Sequence, residues 1–416
     1  MASRRLIRQL STQPRPAGLP RSVHRALETI ADPFALLAGE LGQLKQSLRA
    51  LVGSDDHGLG AIAAYYLAAP HQGKHLRPTV VLLIAQAAAP AAAGPAPRPV
   101  ALNQPLSPAH ILNDPNPSQP RPAASAAVDL GPILPTQRRL AEIAELIHVS
   151  SLLHDDVIDQ AESRRGRPSA PRAFGSKLAV LAGDFLLARA SLALSRLANF
   201  EVIELVSSII ANLVQGELLQ LDSILNHPQQ QPADGPGAQP APPPASFDDR
   251  LFAFYERKNY LKTASLIAKT SRATVLLSPA ASTNRSLVEA SYEYGKHLGL
   301  AFQIVDDILD YTGSDETLGK AANGSDLKAG LVTGPGLYAW KQHPEKFGEL
   351  VARKFCRPGD LELACEMVQK ADGISQAYQL ASSHLQRCRE SLELFEPSEA
   401  KQGLHALCDL VLNRNH

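Results

Sequence analysis

The 416 residues carry 41 Lys and Arg against 41 Asp and Glu, and are 44% hydrophobic and 20% charged. Zero net charge argues against a nucleic-acid partner or a broadly basic membrane-binding surface, while the length suffices for a large core. Cys356, Cys365, Cys388 and Cys408 lie late in the chain without metal-type spacing, so they read as thiols of a reducing compartment rather than a disulfide framework.

In chain order, residues 1–27 hold Arg4, Arg5, Arg8, Arg15, Arg21 and Arg25, and no acidic residue precedes Glu28. That composition matches an organellar transit peptide with Leu6, Ile7 and Leu10 as its apolar face, or else a basic disordered N-terminus. No stretch reaches the ~18–20 uninterrupted apolar residues of a membrane span; Thr79 to Ala89 comes nearest and is broken by Gln86. Peripheral association with a membrane stays compatible with the sequence. Leu37, Leu41, Leu44, Leu48 and Leu51 recur at helical spacing, and the segment His71 to Pro78 is a basic loop entering an apolar helix. Lys74 and Arg77 there flank a helix start, which favours anions. Residues 90–135 and 227–246 are rich in Pro and Ala or Gln and read as disordered insertions. No run alternates with the period of a strand. Helices are predicted over 136–160, 176–198, 200–225, 247–258, 260–278 and 285–311, with several more to the terminus, giving an all-α bundle.

Within the first of these helices, Leu152-Leu-His-Asp-Asp-Val-Ile-Asp159 ends a largely apolar run on three carboxylates. At about 100° per residue, Asp155 and Asp159 share a face, Asp156 lies beside them, and His148 and Ser151 continue the stripe upward. Buried carboxylates need strong partners, and a hard cation such as Mg²⁺, which takes one or two carboxylates plus phosphate oxygens, supplies them. Arg164 and Arg165 follow in a turn set by Gly166 and Pro168, and suit phosphate. Taken alone, such a motif also fits a solvated helix face. Further on, Glu217 and Gln220 are neighbours on one face of an apolar helix, where structural hydrogen bonding is as good a reading as catalysis.

The spacing recurs in Phe302-Gln-Ile-Val-Asp-Asp-Ile-Leu-Asp-Tyr311, as Asp306, Asp307 and Asp310. Two such helices facing each other could clamp a polyanion through bridging metals. The pair resembles the two aspartate-rich motifs of the trans-isoprenyl diphosphate synthases, with Arg164-Arg165 as the arginine pair of that family. The likeness covers roughly 30–89, 136–226 and 247–416, and is greatest to long-chain mitochondrial members that make the ubiquinone side chain.

This resemblance implies a helical bundle around a central cavity, and a transferase that condenses isopentenyl diphosphate with an allylic diphosphate (farnesyl or geranylgeranyl). It assigns metal ligation to Asp155, Asp159 and Asp306, with Asp156, Asp307 and Asp310 completing the catalytic set. Lys74, Arg77, His148 and Arg165 would hold isopentenyl diphosphate; Arg164, Lys262, Thr263, Gln303 and Lys320 the allylic diphosphate. About two or three Mg²⁺ per site are implied, with Mn²⁺ as a substitute. A mitochondrial location with 1–27 as transit peptide, 28–416 as catalytic domain, and a homodimeric or heteromeric assembly follow from the same likeness. Short-chain members place an aromatic at the fourth or fifth position before the first aspartate; here Ser151 and Ser150 stand there, which implies an open tunnel and a long product. Ala321 replaces a common proline, the segment before Asp326 is one residue longer than is usual in the family, which unsettles the placement of Lys328, and Ala170 to Phe174 lacks a usual asparagine. The rivals are a short-chain synthase, a terpene cyclase, which would carry an Asn/Ser/Glu triad in place of the second motif, and a non-catalytic partner subunit, which would typically have lost aspartates.

Overall fold

A computed structural model describes residues 32–54, 57–67, 75–91, 101–103, 107–112, 132–225, 247–312 and 324–414. Residues 1–27, Lys74, Lys320, Ala321 and the whole of 227–246 lie outside these residues. Helices of seven or more residues are α1 (Ala38–Leu51), α2 (His57–Ala63), α3 (Leu76–Ala88), α4 (Pro135–Ile158), α5 (Ser176–Ser195), α6 (Phe200–Leu225) and α7 (Arg250–Asn259). They continue as α8 (Ser265–Leu276), α9 (Arg285–Thr312), α10 (Gly334–Gln342), α11 (Pro344–Ala352), α12 (Asp360–Lys370), α13 (Gly373–Ser391) and α14 (Glu399–Leu412). The fold is all-α.

The long helix α9 is its spine. Tyr294, Leu298 and Ala301 belong to a core shared with α3, α4, α5 and α8, whereas Ile304, Val305, Ile308 and Tyr311 join a second core with α10 to α13. Close packing along α9 depends on Gly299: a Cβ there would lie 2.6 Å from the Ala264 Cα. Helix α4 begins with Pro135 at a position where its missing N–H costs nothing. Leu140, Ile143, Ala144, Leu146 and Leu153 are all fully buried, so this helix is enclosed on nearly every side.

Three local features differ from the sequence expectations. Ser163–Arg164 (β1) and Arg167–Pro168 (β2) form a two-residue antiparallel hairpin, closed by Arg165 and Gly166 at positive φ. It is too short to carry an alternating signal. The predicted helix 260–278 opens with a π-turn, Tyr260–Ala264, before α8. Parts of the Pro/Ala-rich 90–135 stretch are built into the fold: Leu102 packs on the main core, Asn103 accepts a hydrogen bond from Arg139 at 2.7 Å, and Ala109–Leu112 makes one helical turn. By length and composition alone, α5 and the Phe200–Leu221 part of α6 could cross a membrane, yet Ala179, Ala182, Leu186, Val202, Val206 and Ile209 lie in the main core.

Candidate active site

The ends of α4 and α9 deliver the two aspartate motifs to adjoining cavities. One, of about 440 Å³, is lined by Asp159, Gln220, Lys258, Lys262, Gln303, Asp307 and Asp326, among others. The other, of about 400 Å³ and largely apolar, begins at Asp155 and Glu217 and runs past Ser151 and Ser150 to Ile147 along α4. Helix α6 closes both, with Glu217 on one and Gln220 on the other.

In the first motif, Asp156 is fully buried and pinned. Its carboxylate accepts from the Tyr66 hydroxyl and from Arg164, whose Nε and Nη2 lie at 2.7 and 2.6 Å. The Tyr66 oxygen in turn accepts from the Ala170 amide at 2.7 Å, tying the hairpin region to the motif. The carboxylates of Asp155 and Asp159 accept no hydrogen bond among the described residues. Burial pushes the Asp155 carboxyl up to about 6, opposed by the charge of Lys262 and reinforced by Glu217 and Asp159; Asp159 is raised by the same burial.

In the second motif, every carboxylate is engaged. Asp306 pairs with Arg414 at 2.5 Å, and burial holds its carboxyl at about 6 against that guanidinium. Asp307 accepts from Tyr255 at 2.5 Å and from Gln303 at 2.9 Å. Asp310 accepts from the Ser325 and Asp326 amides, both at 3.0 Å, and thereby anchors the short helix Ser325–Lys328. That anchor brings in Asp326, a seventh aspartate that neither motif contains; burial and the charges of Asp307 and Asp310 raise it to about 7.

Of the predicted anion-binding residues, Arg77, His148 and Arg165 lie close enough to feel one another's charge, and Arg77 that of Asp306; Arg77 and His148 are half-buried and Arg165 is exposed. Desolvation comes first in lowering both the Arg77 guanidinium and the His148 imidazole, and Arg165 adds to each. The Arg77 Nε is buried with no partner among the described residues, as expected of a donor waiting for an anion. Lys262 and Thr263 ride on the π-turn, a common device at functional sites. Helix α6 approaches that turn only because residue 216 is Gly: a Cβ would lie 2.7 Å from the Lys262 amide. Lys262 is bound to Glu217 at 2.6 Å. Thr263 donates to Gln303 at 2.7 Å, so both are committed to the network that holds Asp307. Arg164, expected to meet the allylic diphosphate, spends two of its donors on Asp156. Ser150 and Ser151 do line the apolar cavity, but Ser150 is fully buried and donates to the Gly183 carbonyl at 2.8 Å.

Sequence reasoning missed Tyr66, Tyr255, Lys258 and Arg414, and noted Asp326 only for its spacing without giving it a role. None belongs to a motif with chemical spacing, and each reaches the site through the fold. The all-oxygen donor set suits a hard divalent cation. Among the described residues no three acidic or His/Cys side chains gather closely enough to form a finished cage. Such a cation would therefore complete its shell with water and phosphate oxygens, the mode natural to Mg²⁺.

The sequence pattern of the polyprenyl synthetase family matches residues 121–368. A probable mitochondrial hexaprenyl pyrophosphate synthase of Neurospora crassa is 47% identical over 390 residues, covering 92% of this chain and 82% of the relative. Decaprenyl-diphosphate synthase subunit 1 of Schizosaccharomyces pombe is 38% identical, covering 91% of this chain and 90% of its own. The crystal structure of a polyprenyl synthase from Caulobacter crescentus, complexed with calcium and isoprenyl diphosphate, superposes with a TM-score of 0.68 at 26% identity, over 97% of this chain and 100% of that one.

Proposed function

The chain belongs to the polyprenyl synthetase family, and from that premise we propose a long-chain trans-polyprenyl diphosphate synthase supplying the ubiquinone side chain. One observation carries this reading: Asp159, Gln220 and Asp307 border a polar cavity, and one turn away on α4 and α6 Asp155 and Glu217 border an apolar one, so a diphosphate head and a hydrocarbon tail have separate, neighbouring rooms. The relatives named as hexaprenyl and decaprenyl synthases support the long product. The mitochondrial name of the first relative and the Arg-rich residues 1–27 support a mitochondrial location, in the matrix or on the matrix face of the inner membrane. The subunit designation of the second fits assembly into homodimers or heteromers.

Asp155, Asp159 and Asp306 would hold Mg²⁺, which when bound neutralises the diphosphate and makes it a leaving group. The protein does the rest by position. Lys262 lies beside the allylic diphosphate as its C–O bond breaks and leaves a delocalised cation at C1; Lys320 would join it. Arg77, His148 and Arg165, with Lys74, hold the diphosphate of isopentenyl diphosphate so that its double bond faces that carbon. A carbon–carbon bond forms, a proton leaves the adjacent carbon, and the alkene is restored. Released diphosphate is the proton acceptor in this scheme. Thr263 and Gln303 act through Asp307, and Arg164 through Asp156.

Each cycle pushes the tail along α4 by about one helical turn, 5.4 Å, past Ser151, and an open path gives about six to ten isoprene units. Purified protein with labelled isopentenyl diphosphate, farnesyl or geranylgeranyl diphosphate and Mg²⁺ should yield products in that range. A product stopping at geranylgeranyl length would make it the short-chain enzyme; no product at all would make it a partner subunit. Ser151→Phe should shorten the product while leaving the first condensation intact. Ser150→Phe is the poorer probe, since it would also collide with α5 at Gly183.

A further inference from the structure

We propose that Lys258, which no motif includes, is a direct ligand of the allylic diphosphate; this rests on the reading of the chain as a polyprenyl diphosphate synthase. Lys258 stands in the last turn of α7, just before the π-turn that carries Lys262. Only 8% of it is exposed, yet it lines the polar cavity together with Lys262, Asp307 and Asp326. Its ammonium lies 5.8 Å from the ring of Tyr255, whose hydroxyl holds Asp307.

The two lysines differ in commitment. Lys262 is spent on Glu217 at 2.6 Å. Lys258 feels the charges of Asp307 and Asp326 but forms no direct ion pair among the described residues. A buried ammonium without a close partner is costly, and it is tolerated here because two carboxylates stand nearby. When divalent cations take up carboxylate charge in this cavity, that compensation weakens and the ammonium is left facing other positive charges. A polyanion entering the same cavity restores the balance. A lysine, a point charge with three rotatable donors, suits the terminal oxygens of a diphosphate.

The test compares Lys258→Gln and Lys258→Arg with the unaltered protein in two assays: calorimetric titration with inorganic pyrophosphate in the presence of Mg²⁺, and steady-state KM for each substrate. Losing one charge-assisted contact should weaken pyrophosphate binding and raise the allylic KM by about tenfold or more, with the isopentenyl KM within about twofold. Lys258→Arg should recover most of the loss, and circular dichroism should report an unchanged helical fold. If Lys258→Gln does not fold, Lys258→Met, which keeps the stem and drops the charge, takes its place. Unchanged pyrophosphate affinity and allylic KM in the folded, uncharged variant overturn the proposal. So does a change confined to the Mg²⁺ requirement, which would make Lys258 a counter-ion of Asp307 and Asp326. If the unaltered protein condenses no prenyl substrate, the functional reading fails by itself, and the pyrophosphate titration still decides whether Lys258 binds a diphosphate.

Discussion

The first and second aspartate motifs share one spacing and end comparable helices, yet they rest in different states. In both, the middle aspartate is buried and held by a tyrosine hydroxyl, Tyr66 on Asp156 and Tyr255 on Asp307. The outer aspartates diverge. Asp155 and Asp159 face the cavities without a protein donor among the described residues, whereas Asp306 is paired with Arg414 and Asp310 caps the Ser325–Lys328 helix. Identical spacing thus conceals two states: the outer carboxylates of the first motif are uncommitted among the described residues, and those of the second are already partnered. On the proposed mechanism, Asp155 and Asp159 would be free to hold a cation, whereas Asp306 would have to release Arg414 to do so.

The strongest way to break this comparison is to remove one outer aspartate from each motif. Asp155→Ala and Asp306→Ala should each lower kcat by about two to three orders of magnitude with the helical fold retained, because the loss falls on developing charge. Near-normal turnover in either at saturating Mg²⁺ would sink the two-sided clamp. A smaller effect separates the two middle aspartates. Tyr255→Phe leaves Asp307 with Gln303 alone as a direct donor and should cost about 1–3 kcal/mol of stability. Tyr66→Phe should cost less, since Arg164 still grips Asp156 with two nitrogens. Denaturant unfolding of both variants checks the order, and equal or reversed losses would show that the arginine adds nothing to the tyrosine.

Much of this was legible in the sequence. The apolar run 140–153 ending on three aspartates specifies a buried helix that needs counter-charge, and the recurrence at 306–310 specifies a facing partner. Helix boundaries at 135–158, 200–225 and 285–312 follow from apolar periodicity almost residue for residue. Tyr66, Tyr255 and Lys258 were illegible because each looks like an ordinary helix residue, and only the crossing of α7 against α9 or the hairpin against α4 gives it a task. The π-turn at 260–264 has no periodic signature: it is one extra residue in a turn, and Gly216 lets α6 pack against it. Arg414 lies more than a hundred residues from Asp306, and no local pattern links them.

The titration of the site gives a third, milder test. Burial raises the carboxyls of Asp155 and Asp306 to about 6 and Asp326 to about 7, above the ~3.9 of an exposed aspartate. The folded protein then binds protons that the unfolded chain has released. Stability from these groups is therefore full below about pH 4 and is lost as pH rises through 6 to 7. Mg²⁺ replaces those protons, so it should raise Tm by about 2–4 °C at pH 8 and hardly at all at pH 5.5. Thermal scans with and without the metal at both values check the sign. A gain larger at the lower pH would mean that the cation does not use these carboxylates.

The smallest expected effect bears most directly on the contrast between motifs. Arg414 holds Asp306 at 2.5 Å and stacks on Phe302, with 4.3 Å between the guanidinium and the ring centre. Both partners keep some solvent exposure, and ion pairs of that kind contribute at most about 1 kcal/mol, or about fivefold in an equilibrium constant. A cation entering at Asp306 works against that pair. Arg414→Ala should therefore lower the half-saturating Mg²⁺ concentration by about two- to fivefold. The measurement belongs at pH 8, because removing the guanidinium also pushes the Asp306 carboxyl further up, and near pH 7 the proton would mask the gain. The matching change at the first motif, where no such competitor exists among the described residues, has no counterpart to remove. If Arg414→Ala raises the Mg²⁺ requirement at pH 8 instead, the guanidinium orients Asp306 for the metal rather than competing with it, and the second motif is as ready as the first.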